Sequence, residues 1–347
     1  MKKETITMAH GSGGLDSAEL MQTVFAKHFG NEILGRLEDS AVVTLPQGIA
    51  LPPRLAISTD SFVVSPLVFP GGDIGKLAVC GTVNDVLMSG AAPKYLTCGF
   101  IIEAGLPIEL LDSLCASFAS AAARAGVMVV AGDTKVVESR GEGGGLTINT
   151  TGIGIAQAAQ GGGSPVLPTP SGIRPGDSIL VSGNLGDHHA AILSARMGVK
   201  NTITSDCALL TPVLAALRGA GVPVHAMRDV TRGGLATVLN ELAKASGASI
   251  ELAEEAVPVS PEVRAFCGIM GLDPLYMGNE GKLVLAVAPE DEPRALAAMR
   301  ETQIAKGAVR IARAKAGAAG IPVAMRTRVG GTVRVDVLYG EGLPRIC

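Results

Sequence analysis

Tryptophan is absent from the 347 residues, and aromatic side chains make up only 3% of them. A core must therefore be packed from Ala, Val, Leu and Ile, within a hydrophobic content of 47%. No apolar run reaches the roughly 18 residues that a membrane-spanning helix needs. The opening Met1-Lys-Lys-Glu-Thr-Ile-Thr-Met8 lacks the apolar centre of a signal peptide. There is no basic block or stripe, and a net charge of −3 spread over both signs argues against a nucleic-acid surface. The six cysteines, Cys80, Cys98, Cys115, Cys207, Cys267 and Cys347, form no C-x-x-C pair and no disulfide-like crowding. That pattern predicts a reduced, soluble, cytoplasmic protein. Cys80, Cys98 and Cys115 lie in apolar segments and read as small core residues.

The length predicts two domains, and 45 glycines with 20 prolines, without a repeat, predict many tight turns. Strand and helix signals alternate, which indicates an α/β (α+β) architecture. Residues 1–157 form the expected first domain and 158–172, rich in Gly, Pro and Ser, the linker. Residues 173–328 form the second domain, and 329–347 a last strand (Val329 to Leu338) followed by a tail.

Acids recur at the ends of elements in the first domain. Asp39 opens a β-branched run, and Asp60 ends the apolar part of Leu55-Ala-Ile-Ser-Thr-Asp60. Asp73 is the expected N-cap of a helix to Ser89, with Lys76 in its first turn and Asn84-Asp85 near its far end. Tyr95 to Glu103 reads as a strand, Pro107 as N1 of a helix to Ala125, and Gly126 to Ala131 as a buried strand that runs into Asp133. Leu146 to Ala156 is a further strand. Singly, Asp39, Asp60, Asp85 and Asp133 read as caps or turn residues. Together they suit a carboxylate cluster for Mg²⁺, a hard cation that leaves coordination positions to substrate phosphates. Lys135, two residues beyond Asp133, would neutralise a phosphate. Such a set makes an ATP site without a Walker loop.

Two glycine turns are anion-facing candidates: His10-Gly-Ser-Gly-Gly14, ahead of a helix from Ser17 to His28, and Met227-Arg-Asp-Val-Thr-Arg-Gly-Gly234. Each equally suits an ordinary helix entry. His188 and His189 are adjacent, cannot both chelate one metal well, and read as capping or surface residues beside a helix from Ala190 to Met197. Glu280 falls in a turn ahead of a strand. Near the end of the sequence, Gly340 and Gly342 loosen the backbone before Leu343-Pro-Arg-Ile-Cys347. A thiol on such a tail, with a reach of roughly 23 Å from Gly340, reads either as a carrier or as a frayed end.

The motifs His10–Gly14, Glu38-Asp39-Ser-Ala-Val42, Thr59-Asp60-Ser-Phe62, Gly71-Gly-Asp-Ile-Gly-Lys76, Gly81-Thr-Val-Asn-Asp85, Ala131-Gly-Asp-Thr-Lys135 and Leu343-Pro-Arg-Ile-Cys347 occur in order. In this the chain resembles the HypE family of carbamoyl dehydratases of [NiFe]-hydrogenase maturation, within the superfamily of aminoimidazole-ribonucleotide and selenophosphate synthetases. The resemblance implies a two-domain PurM-like fold whose first domains pair their sheets in a homodimer. It implies Mg²⁺ at Asp39, Asp60, Asp85 and Asp133, and ATP contacts at His10, Gly11, Gly13, Lys76, Asn84 and Thr134. It further implies a carbamoyl group loaded on Cys347 by the carbamoyltransferase HypF, then dehydrated with ATP to a thiocyanate used by the HypC–HypD complex. Lys135 would stabilise the developing charge, and Glu138 or Glu280 would be the base by position only. His189 and Gly342 depart from the pattern, which favours a small residue and a longer polar one there. Other synthetases of the superfamily are the first alternative. Selenophosphate synthetases carry Cys or selenocysteine in the first glycine loop, and His10–Gly14 has neither. A non-catalytic scaffold is the second alternative, and it would have no use for four acids and Lys135.

Overall fold

The structure, a computed structural model, describes residues 14–20, 22, 23, 31–44, 54–139, 144–156, 167–317 and 321–338. The first domain runs α1 (Leu15–Leu20), β1 (Ala41–Thr44), β2 (Arg54–Phe62), β3 (Val68–Phe69), β4 (Gly72–Asp73), α2 (Ile74–Met88), β5 (Ala91–Glu103), α3 (Ile108–Ala125), β6 (Met128–Val137) and β7 (Leu146–Ala156). The second runs β8 (Ser178–Val181), α4 (Asp187–Arg196), α5 (Thr211–Gly219), β9 (Ala226–Asp229), α6 (Gly234–Ser246), β10 (Ser249–Ala253), α7 (Pro261–Met270), β11 (Leu283–Val287), α8 (Glu292–Arg300), β12 (Val309–Lys315), β13 (Val323–Arg326) and β14 (Thr332–Arg334). Among the described residues no helix is long and apolar enough to cross a membrane.

The first sheet has the order β1-β2-β7-β5-β6, and the second β14-β13-β10-β12-β8-β11-β9. β7 forms in a run rich in Ile and Thr, and buried and half-buried positions alternate along its whole length. α2 lies across this sheet. Asp73 caps it, its side chain accepting from the Lys76 N–H at 2.9 Å. The helix sits close because β7 presents glycine to it: a Cβ on Gly154 would overlap Val86, and one on Gly152 would come within 2.9 Å of Thr82. The other side of α2 meets the second domain, and one apolar cluster runs from Val79, Val83 and Leu87 to Leu180, Ile192 and Leu210. Every residue of α2 is buried except Lys76 and Asp85.

Five expectations change. The strand after Gly126 is not buried: all ten residues of β6 are exposed, because it is the last strand of its sheet and no described element covers it. Helix α4 starts three residues early, so His188 and His189 are buried, not surface caps. His188 Nδ1 lies 2.7 Å from Ser205 Oγ and its ring meets Phe69 edge-on across the domain boundary. Cys115 is exposed on α3 and Cys98 half-buried, while Cys80 is a core residue as expected. Pro107 is the N-cap rather than N1 of α3. The last strand is the short β14, paired with β13 inside the second sheet. Most of the expected helix to His28 lies outside the described residues.

Candidate active site

The two domains meet over a set of acids from five separate segments. Asp60 is in β2 and Asp85 near the end of α2. Asp39 precedes β1, Asp229 ends β9, and Glu280 sits in the turn before β11. Asp60 and Asp229 lie close enough to Asp85 for their charges to act on it, and Ser58 Oγ donates to its Oδ2 at 2.8 Å. Burial pushes the Asp85 carboxyl well above the usual carboxylate range, and the charges of Asp229, Asp60 and Asp39 push it further. Burial, with Asp39 next in effect, takes Asp229 up to about 8 against the opposing pull of Arg228. Asp39 rises to about 6, again through burial, with Arg228 opposing.

Arg228 is the counter-charge of this cluster. Its guanidinium spans Asp39 at 2.6 Å and Glu241 of α6 at 2.7 Å, so a residue of β9 holds a segment of the first domain in place. Beyond Asp39 lies a cavity of about 150 Å³ walled by Arg36, Ser40, Arg54, Met88 and Met227. That is below the roughly 300 Å³ at which small-molecule sites begin, and a second cavity of about 530 Å³ shares its Arg36, Val42 and Arg54 wall.

Glu280 approaches from the second domain. Its Oε2 lies 3.9 Å from where a Cβ would stand on Gly81 of α2. Gly81 and Asp85 are four residues apart and share a helix face, so Glu280 faces α2 one turn from Asp85. Burial raises its carboxyl well above the ordinary range, followed by Asp229 and Asp206.

The donor set is all carboxylate oxygen, with several charges crowded together and, among the described residues, Arg228 and Arg232 opposing them. Among the described residues no three His, Cys, Asp or Glu side chains form a ready-made metal cage. Mg²⁺ takes one or two carboxylates plus substrate phosphates rather than a full protein cage, so the residues fit an ion that arrives with a phosphorylated ligand.

Comparisons with known proteins identify the family. The AIR synthase related protein family matches in two parts, its N-terminal domain over residues 37–156 and its C-terminal domain over 174–323. Carbamoyl dehydratase HypE of Cupriavidus necator is 46% identical over 349 aligned positions, covering 100% of this chain and 96% of that protein. The chain belongs to the HypE carbamoyl dehydratase family. It is therefore an enzyme. Two solved structures share the fold closely. A HypE–HypF complex has a TM-score of 0.82 at 42% identity, covering 92% of this chain and 99% of that one. A HypE in complex with ATP has a TM-score of 0.77 at 44% identity, covering 99% and 100%.

Against the HypE pattern, the structure brings together Asp39, Asp60 and Asp85, and adds Glu280. It does not bring Asp133 and Lys135 to them within one chain. Asp60 pairs with Thr150, Thr150 with Cys98, and Cys98 with Gly132, next to Asp133. Three strand spacings separate the rows, about 14 Å. Asp133 and Lys135 instead pair with each other at 3.2 Å on exposed β6, with Thr134 between them and Glu138 just beyond. Lys135 holds the Asp133 carboxyl below its usual range. Lys76 donates to Gly71 O at 2.9 Å. Asn84 is 2% exposed and both amide atoms are committed: Nδ2 donates to Ala208 O at 3.0 Å, and Oδ1 accepts from Leu210 N at 2.9 Å. His10, Gly11, Gly13 and Cys347 lie outside the described residues. Sequence reasoning missed Asp229 and Arg228, treating Met227–Gly234 as a glycine turn. The available signal was an acid at the end of a strand, as at Asp60.

Proposed function

We propose that the protein is an ATP-dependent carbamoyl dehydratase that converts an S-carbamoyl group on Cys347 to a thiocyanate, supplying cyanide for iron in [NiFe]-hydrogenase maturation. The observation that carries this is the cleft of Asp39, Asp60, Asp85 and Asp229 with Glu280 facing α2, in a chain of the HypE family. In the reaction the carbamoyl oxygen attacks the γ-phosphorus of ATP, and ADP leaves. Amide oxygen is a poor leaving group, and its phosphate ester is a good one. The C–O bond then breaks, both N–H protons are lost, and the oxygen departs in inorganic phosphate, leaving S–C≡N on Cys347.

Asp39, Asp60, Asp85 and Asp229 are the candidate holders of Mg²⁺, which when bound supplies positive charge against the phosphates. Glu280 is the candidate base. Its raised proton affinity suits a group that takes up a proton. Glu138, exposed at the end of β6, is the weaker candidate within one chain. His10, Gly11, Gly13, Lys76 and Thr134 are candidate nucleotide contacts. The position of Asn84 favours a joint between the domains over the nucleotide contact its motif implies.

The uncovered edge of β6, with Val130 51% and Val136 69% exposed, supports a homodimer in which first-domain sheets pair. Such pairing would carry Asp133, Thr134 and Lys135 toward a partner's site. HypF is the proposed source of the carbamoyl group and HypC–HypD the proposed acceptor of cyanide. The cytoplasm is the proposed compartment, consistent with five free thiols among the described residues.

The test is incubation with HypF, carbamoyl phosphate, ATP and Mg²⁺, followed by mass spectrometry of the peptide containing Cys347. The peptide should gain a carbamoyl group and then lose one water. Asp85→Asn should load normally and fail to dehydrate. Normal dehydration in that variant would falsify the metal assignment, and a Cys347→Ala chain modified elsewhere would remove the carrier role.

A further inference from the structure

Glu280 has no helix or strand of its own to fix it, yet its carboxyl faces α2 across the domain boundary. The backbone around it explains how. The Glu280 N–H donates to Asp206 Oδ1 at 3.0 Å, and the Glu280 carbonyl accepts from Ala208 N at 3.2 Å. The second oxygen of Asp206 forms an ion pair with Lys282 Nζ at 3.0 Å. Both partners of that pair are nearly enclosed, with 10% of the Lys282 side chain and 4% of Asp206 exposed. Gly281, between Glu280 and Lys282, lies so close to Asp206 that a Cβ there would overlap the Asp206 carbonyl. One carboxylate thus grips residues on both sides of a glycine that permits the two backbones to touch.

The same loop is tied to the first domain. Ser205 N donates to Pro70 O at 2.8 Å, and Ala208 and Leu210 bond the amide of Asn84, one residue before Asp85. The loop therefore connects the Glu280 turn to the helix that carries Asp85.

We propose that Asp206 and Lys282 are positioning residues that hold the Glu280 carboxyl against Gly81 of α2 for the dehydration step. The proposal rests on the dehydratase reading and names residues outside the motifs that led to it. Asp206 acts through Glu280 and touches no substrate. A buried ion pair is weak evidence for stability in itself. Its value here is geometric, since a misplacement near 1 Å at a reacting group costs about 100-fold in rate.

The experiment uses the full chain with HypF, carbamoyl phosphate, ATP and Mg²⁺, following both loading of Cys347 and its conversion to thiocyanate. Asp206→Ala should lower kcat for dehydration about 100-fold, leaving the loading rate and the KM for ATP within about twofold. Asp206→Asn, which keeps an oxygen for the Glu280 N–H, should recover at least about tenfold of that loss, or roughly 1.4 kcal/mol. Lys282→Arg should retain more turnover than Lys282→Met. In a Glu280→Gln background, Asp206→Ala should cost nothing further. Full-rate dehydration by Asp206→Ala refutes the clamp, as does an equal loss in the Asn and Ala variants that tracks the fraction of unfolded protein. Undiminished additivity with Glu280→Gln also refutes it. A wild-type chain that loads Cys347 but never forms thiocyanate overturns the dehydratase reading itself, and the clamp with it.

Discussion

Replacing Asn84 with alanine distinguishes a joint between domains from a nucleotide contact. The HypE resemblance implies that Asn84 meets ATP, whereas both of its amide atoms bond backbone of the second domain. Alanine leaves the N–H of Leu210, a residue with 0% exposure, without a partner, at about 1–3 kcal/mol. Losing the half-exposed bond to Ala208 O adds about 1 kcal/mol. The expected total is about 3 kcal/mol, which for a cooperative unit of 150–250 residues corresponds to roughly 6–12 °C in Tm. Differential scanning calorimetry and urea unfolding on the same preparation read this directly. ATP affinity, measured by isothermal titration below the transition, should change less than about threefold, under 1 kcal/mol. A variant with unchanged Tm and ATP binding weakened about tenfold or more would refute the argument and return Asn84 to the nucleotide site.

Two other outcomes follow from named groups. His188, buried and held at about 4 with only Asp206 opposing the shift, stays neutral when folded and binds a proton once unfolded. Its folded pKa is depressed, so its contribution is intact above pH 6.5 and shrinks by up to about 3 kcal/mol as pH falls toward 4. Urea midpoints between pH 7.5 and 4.5 should show this slope in the wild type and a flatter one in His188→Phe; equal slopes would refute it. At the β6 edge, Val130→Lys with Val136→Lys should raise the dimer Kd at least about tenfold, read by light scattering on a sizing column. An unaltered dimer would move the interface elsewhere.

Much of the first domain was legible because its elements announce themselves locally. β7 is rich in β-branched Ile and Thr, and α2 has its Asp73 cap and the Gly90 stop, although burial on nearly all sides erases any amphipathic stripe. What could not be read was which faces are covered. Val129, Val130 and Val136 look like core residues in sequence and are bare because β6 is an edge. His188 looks like a surface residue and is enclosed because Phe69, distant in sequence, packs on it. Aspartates at the ends of elements were recognised one by one. That Asp229 joins them and Asp133 does not follows from strand order, which spacing in sequence does not encode.

Helix α2 is bonded to the second domain through Asn84 and lies flush on the glycines of β7. It therefore leaves the two domains no hinge along this face. Parting them would strip Asp85 of its neighbours and break the amide joint in the same movement. Residues 81, 84 and 85 span about 6 Å of helix, so contact, joint and acid share a single turn. A substitution that repacks one of them is expected to be felt by all three.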